Sequence, residues 1–291
     1  MSNYPQQQRY PSREPRRTRP SSSGWKIRLL IAGAIILFSA VSYYNSSTEN
    51  PITGENQRVG GMTPAQEVEI GLRAANGMVQ QHGGVSPDQR ARMHVSQVGK
   101  RIENTLYHRL QKDGIKMPYT FDFYLLADRQ VVNAFALPGG QVFITEALYR
   151  RMNHEGQLAG VLGHEIGHVI ERHGVERMAQ GSFFQQIAGA AGVAGGDVSS
   201  ARMAEGFLST VGMSYGRQAE LESDRWGVEL MVLTGYHPEH MLEVMEILKE
   251  ATAGGAPPEF LSSHPKPENR QAYIRQVIAD RFPNGLPPGL K

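Results

Sequence analysis

Two histidines four residues apart, His164 and His168, with Glu165 directly after the first, are the residues of this 291-residue chain whose types and spacing can do chemistry. A helix turns about 100° per residue, so side chains at i and i+4 lie one above the other and both imidazoles can share one metal ion. Glu165 falls one step round from that axis. There it can take a proton from a water held at the metal without being a ligand itself, and the chemistry this spacing supports is metal-assisted hydrolysis. Three fixed positions also arise by chance, so the surrounding pattern has to carry further weight.

Composition narrows the ligand chemistry. The chain has no cysteine, which excludes a thiol nucleophile, a Cys-type zinc site and any disulfide framework, and leaves His, Asp and Glu as ligands for a metal such as zinc. The basic balance is local. Seven Lys and Arg stand against the single acid Glu14 before residue 29, while the whole chain carries only +2. The remainder is therefore mildly acidic and gives no case for nucleic-acid binding.

A helix must present the motif, and the pattern predicts one from an N-cap at Asn153 to about Gln180. It carries Gly156, Gly160, Gly163 and Gly167 on one stripe. Each interior glycine costs about 1 kcal/mol relative to alanine, which close approach of another backbone would offset. The expected neighbour is the helix that brings a third ligand. Ahead of it, Tyr119, Phe121, Phe123 and Leu125 alternate with polar residues as in a half-buried strand. Val131 to Leu137 and Gln141 to Thr145 read as two more, joined as a hairpin across Pro138-Gly139-Gly140. An exposed edge there, around Asn133, Ala134 and Phe135, would take an extended peptide by strand addition.

The rest of the chain is organised around that unit. Residues 1–24 read as a disordered basic tail. Residues 25–44 read as a membrane anchor, uncharged from Leu29 to Tyr44, with Trp25 and Tyr43-Tyr44 as interfacial residues; a cleaved signal peptide is the alternative. The positive flank places the N-terminus in the cytoplasm and the remainder across the membrane. Residues 45–61 read as a polar linker, 62–281 as the catalytic domain and 282–291 as a tail. Within the domain, helices are expected from Thr63-Pro64 to Gln81, Pro87 to Leu110, Met203 to Thr234, Pro238 to Glu250, and finally to about Ala279. Phe183 to Gly196 is small and apolar, and reads as a lid, a membrane-facing segment or a buried small-residue turn.

A catalytic zinc needs a third protein ligand and an open position. Glu220 is the candidate, with Asp224 on the same helix face placed to accept the outer ring N–H of a ligating histidine. The same two acids could equally form an exposed face paired with Arg217 or Arg225. Glu222 points about 200° away and reads as solvated; His173 falls about 140° off the metal face and reads as structural.

His164-Glu-x-x-His168 followed by Glu220-x-x-Ser-Asp224 resembles the membrane-associated zinc metallopeptidases related to HtpX, the CAAX prenyl endopeptidases, BepA and mitochondrial Oma1. Asn133-Ala-Phe-Ala-Leu-Pro-Gly-Gly140 and His264-Pro265 with Arg270 extend the resemblance over residues 62–280. Ser223 stands where the family usually has alanine. The resemblance implies an α+β, mainly helical, zincin-like domain with a small sheet or hairpin beside the motif helix. It implies one zinc per chain on His164, His168 and Glu220, Glu165 as general base and Asp224 behind the ligands. His264 would assist the transition state or occupy the open zinc position. The implied activity is hydrolysis of internal bonds in misfolded or misassembled proteins, from a single-pass protein of the bacterial inner membrane facing the periplasm, or of the mitochondrial inner membrane. A latent, metal-stabilised chaperone-like module is the competing reading; a small-molecule hydrolase or exopeptidase lacks any feature for capturing a chain terminus.

Overall fold

The computed structural model describes residues 22–195, 214–252, 259–264 and 270–291. Most of the basic tail, the N-terminal part of the helix expected from Met203, and Pro265 lie outside the described residues. The fold is α+β with helices dominating, as the resemblance implies.

Helix α1 (Ser22–Asn45) contains Gly24–Asn45, a stretch long and apolar enough to cross a membrane. The segment expected to be a linker folds as a small hairpin, β1 (Ser47–Glu49) antiparallel to β2 (Asn56–Arg58). Its polar residues have a task. Asn50 Nδ2 donates to the Ile170 carbonyl at 2.8 Å and Gln57 Nε2 to the Glu171 carbonyl at 2.7 Å, satisfying orphan acceptors at the end of the motif helix.

Helix α2 (Pro64–Gln81) starts as the sequence predicts, with Thr63 as N-cap, Gln66 closing the capping box and Pro64 in the first turn. Helix α3 (Gln89–Lys112) buries Val95, Val98, Ile102 and Leu106 on one face, with Met93 exposed. Three strands follow: β3 (Asp122–Leu126), β4 (Ala134–Ala136) and β5 (Gln141–Thr145). The expected β4–β5 hairpin is present, and β3 joins β5 in parallel, so the order is β3-β5-β4. β5 is buried throughout and β4 is the edge nearest the motif helix.

After the short α4 (Glu146–Tyr149) comes the motif helix α5 (Glu155–Ile170), capped by His154 rather than Asn153. It ends ten residues before the expected Gln180, and α6 (His173–Gly195) starts in a new direction. The break is at Arg172, the one non-glycine residue with positive φ among those described, at 57°. Such a backbone costs of order 1–3 kcal/mol and needs compensation. Arg172 receives it from the buried Glu67 of α2, bonded at 2.8 and 2.5 Å, and from the Met62 carbonyl at 2.6 Å. Tyr119 donates to the second Glu67 oxygen at 2.8 Å. Local propensity gave no sign of this break, because it is a contact with residues over one hundred positions away.

The remaining helices are α7 (Arg217–Leu233), α8 (His240–Thr252), α9 (Glu259–Ser263) and α10 (Arg270–Arg281). α5 lies at the centre, buried from Gly156 to Ile170, with α3, α7, α8 and the sheet around it.

Candidate metal centre

The glycine stripe of α5 does what its spacing suggests, in part. A Cβ on Gly163 would stand 3.2 Å from the Cα of Gly227, and one on Gly167 would stand 3.0 Å from the Cα of Ser223 and 2.9 Å from Trp226 Cβ. Here α5 and α7 cross nearly backbone to backbone. Gly156 faces His240 instead, and Gly160 faces Met231 and Met241. The crossing aligns Glu220, Ser223, Asp224 and Gly227 of α7 along the motif face of α5. Replacing Gly167 by valine is expected to spread the two helices, lowering stability by about 1–3 kcal/mol and weakening zinc binding. Thermal unfolding with and without zinc checks both, and an unchanged zinc affinity would separate the crossing from the site.

His164 and His168 turn their Nε2 atoms toward each other at 3.1 Å. The Glu220 carboxylate reaches both, with oxygens 3.7 Å from His164 Nε2 and 3.5 Å from His168 Nε2. Ligand atoms around a tetrahedral ion with bonds of about 2.0–2.1 Å are spaced at roughly 3.3 Å, so this set fits zinc closely. His264 joins the group: the donor atoms of His164, His168, Glu220 and His264 all lie within 4.8 Å of one another. Among the described residues, Glu165 has no hydrogen-bond partner for either buried oxygen, and neither has His264 Nε2, 3.6 Å from Glu165 Oε1. Unpaired buried groups facing a ring of ligand atoms mark a place built for something the protein chain does not itself supply.

Each ligand is held from behind. His164 Nδ1 meets Asp224 Oδ1 at 3.0 Å, the contact the sequence suggested. Asp224 is clamped bidentately by Arg270, Nε at 2.5 Å and Nη2 at 2.7 Å, and Arg270 Nη1 also reaches Glu220 Oε2 at 2.9 Å. His168 Nδ1 meets His173 Nδ1 at 3.0 Å, and His173 Nε2 meets Glu222 Oε2 at 2.9 Å. His173 therefore reaches the site, and Glu222 is ion-paired rather than solvated. The expectation for His173 assumed an unbroken motif helix; the turn at Arg172 brings it back over His168 and within reach of Glu222. Tyr215 stacks on the His168 ring, centroids 4.0 Å apart, and burial pushes its hydroxyl up to about 12. Tyr215 and the double role of Arg270 left no signal in the spacing.

The electrostatics suit the assigned roles. Burial pushes His168 well below the usual imidazole range, so its ring is neutral with a lone pair to offer. Burial pushes Glu165 up, giving a stronger base than an exposed carboxylate. Burial acts on Glu220 the same way, but His264 and His168 together with the other nearby groups outweigh it and hold the carboxyl far below the ordinary range. Asp224 is likewise held low against its burial, chiefly by Arg270.

The chain matches Peptidase family M48 over residues 96–278. It is a member of that family. The M48 span opens within α3 and closes within α10, so it contains every residue of the site, while α1, the β1–β2 hairpin and α2 precede it. Individual relatives agree. The chain is 34% identical over 187 residues to the beta-barrel assembly-enhancing protease of Escherichia coli, covering 59% of this chain and 37% of that protein. It is 30% identical over 155 residues to the mitochondrial metalloendopeptidase OMA1 of Arabidopsis thaliana, covering 53% and 31%. It is 28% identical over 166 residues to the metalloprotease YcaL of Escherichia coli, covering 56% and 63%. The chain thus spans well under half the length of the first two. Zinc is the metal that goes with the M48 family and with this donor set.

Proposed function

We propose that this chain is a membrane-anchored zinc endopeptidase of protein quality control, cutting internal peptide bonds of misfolded or misassembled proteins. The observation that carries it is the pair of imidazole Nε2 atoms 3.1 Å apart, bridged by the Glu220 carboxylate, with an unpaired buried Glu165 beside them. His164, His168 and Glu220 would hold one zinc. When bound, the ion acidifies a water and polarises the scissile carbonyl. Glu165 takes the proton of that water and passes it to the departing amine. Asp224 and His173 fix the two imidazoles by their outer nitrogens, and Arg270 holds Asp224 and Glu220 in register.

Edge strand β4 aligns the substrate. Asn133 O accepts from the Thr145 backbone N–H, Asn133 N–H donates to the Thr145 hydroxyl, and Leu137 N–H donates to Gln141 O, so by alternation Phe135 also faces β5. Of the suggested strand residues, Ala134, buried in this closed form, then turns its backbone away from β5, together with Ala136, on the side an added peptide strand would pair with.

The site is closed, and His264 closes it. This buried ring donates from Nδ1 to Glu220 Oε1 at 2.9 Å and stands over Glu165. Its segment is fastened to both sides of the site: Phe260 N to Val132 O at 3.2 Å, Asn133 Nδ2 to Glu259 Oε1 at 3.2 Å, and Tyr215 N to Ser263 O at 2.9 Å. This observation favours latency, with His264 withdrawing before substrate enters. The anchored reading puts α1 in a bacterial inner membrane and the domain in the periplasm.

The test is digestion of casein by the zinc-loaded full chain in detergent. Internal fragments that vanish on chelation and return with zinc are expected, while release of single residues would point to an exopeptidase. His264→Ala removes one charge-assisted bond of about 1.5 kcal/mol from the closed state and is expected to cut roughly tenfold faster. A slower His264→Ala enzyme would make this ring a transition-state donor instead.

A further inference from the structure

Helix α6 begins at the metal centre and ends against the membrane anchor. His173, its first residue, touches the His168 ring, and ten residues later Phe183 stacks on Tyr43 of α1 with ring centroids 4.7 Å apart. One turn further, Gln186 Oε1 accepts from Ser39 Oγ at 2.8 Å. As the numbering rises along α6 it falls along α1, so the helices lie antiparallel. Among the described side chains of α1 two are buried, Ala32 and Ser39, seven residues apart on one face, and α6 packs along this helix.

Charge is distributed to match. α1 is uncharged from Leu29 to Tyr44, and α6 carries no charge from Met178 to Gly195, on the order of 27 Å of helix at 1.5 Å per residue. The register sets Phe183 to Gly195 of α6 beside the charge-free run of α1. The outward side chains of α1 are apolar, Leu30, Leu37 and Phe38 being 74%, 67% and 73% exposed, and Val193 of α6 is 37% exposed, while α6 also exposes Gln180 and Ser182 before Phe183 and Gln185 and Gln186 after it. α6 is rich in glycine, alanine and glutamine, a composition too weak to enter a bilayer alone. Beside a spanning helix it is suitable, since small residues permit close packing in lipid and a polar side chain such as Gln186 finds its partner across the interface.

We propose that the part of α6 from Phe183 to Gly195 lies in the lipid bilayer beside α1, as a second membrane-embedded helix. The partner of this surface is the acyl region of a membrane, and the inference rests on the reading of α1 as an anchor. The bilayer then holds the metal centre at a set height. From Phe183, level with the interfacial Tyr43, back to His173 is ten residues of helix, about 15 Å. A chain emerging from the membrane covers that height with about five extended residues. The substrates favoured by this placement are proteins tethered to the same membrane and cut a few residues beyond their last span.

The chain has no native cysteine, so single-cysteine variants carry a probe at one place only. Leu37→Cys on α1, Val193→Cys on α6 and Gln111→Cys at the exposed end of α3 are each labelled with an environment-sensitive fluorophore. The full-length protein is then reconstituted in phosphatidylcholine–phosphatidylglycerol vesicles with and without brominated acyl chains. The expected result is that the probes at residues 37 and 193 are both quenched by the brominated lipid, several-fold more than the probe at 111. Quenching at 37 with residue 193 behaving like 111 overturns the inference and leaves the anchor intact. No quenching at either 37 or 193 overturns the anchor reading and this inference with it.

Discussion

Glu165→Gln is expected to lower peptide hydrolysis by about 10²–10⁴-fold, the usual contribution of a positioned general base, while the protein still binds one zinc. The two effects separate because Glu165 lies outside the ring of His164, His168 and Glu220 that faces the metal position. The amide has the shape of the carboxylate but cannot accept a proton at neutral pH. The same substitution should not weaken the metal-free fold. Burial raises the Glu165 pKa, so the stability this residue contributes is present below the ordinary carboxylate pKa and is lost as pH rises through the higher folded value. At pH 7 the buried carboxyl is therefore a burden that glutamine removes. Zinc content, casein turnover and urea unfolding at pH 7, measured on one preparation, check all three. A variant that keeps zinc and keeps cutting would remove Glu165 from the mechanism; one that loses zinc would redraw the ligand set.

Arg270→Gln is expected to cost about 3–5 kcal/mol, because it leaves two buried carboxylates without their shared cation. Glu220 and Asp224 have no exposed surface, and Arg270 is hydrogen-bonded to Asp224 at 2.5 and 2.7 Å and ion-paired with Glu220 at 2.9 Å. Part of the loss should be recovered on adding zinc, whose charge replaces that of the guanidinium near Glu220 but not near Asp224. Arg270→Lys keeps the charge and loses the fork, so it should recover only part of the stability. Urea unfolding of the native chain and both variants, with and without zinc, makes the comparison. A loss below about 1 kcal/mol for Arg270→Gln would show that the pair contributes little, as in networks where burial costs offset attraction.

Much of this site was legible in the sequence because its parts lie on regular helices. A spacing of four places His164 and His168 together wherever α5 is packed, and the same period puts Glu220 and Asp224 on one face of α7. The glycines of α5 also carried their message locally, since only a close neighbour offsets four of them in a helix, although just Gly163 and Gly167 meet the backbone of α7 and Gly160 meets its Met231 side chain.

Other features were decided by contacts between distant parts of the chain. The end of α5 at Arg172 depends on Glu67, Met62 and the hairpin residues Asn50 and Gln57, none of which local propensity can see. Everything that follows from that turn was hidden with it: His173 over His168, Glu222 behind His173, and α6 directed toward α1. His264 and Arg270 stood in the sequence as a motif without a place, and only packing puts one ring across the Glu220–Glu165 gap and one guanidinium between two buried acids. The sequence by itself determined the ligands, the base and their chemistry, because helical period is a short-range property. Tertiary structure alone decided what orients those groups, what covers them and how they stand to the membrane, because each depends on surfaces brought together only when the chain is folded.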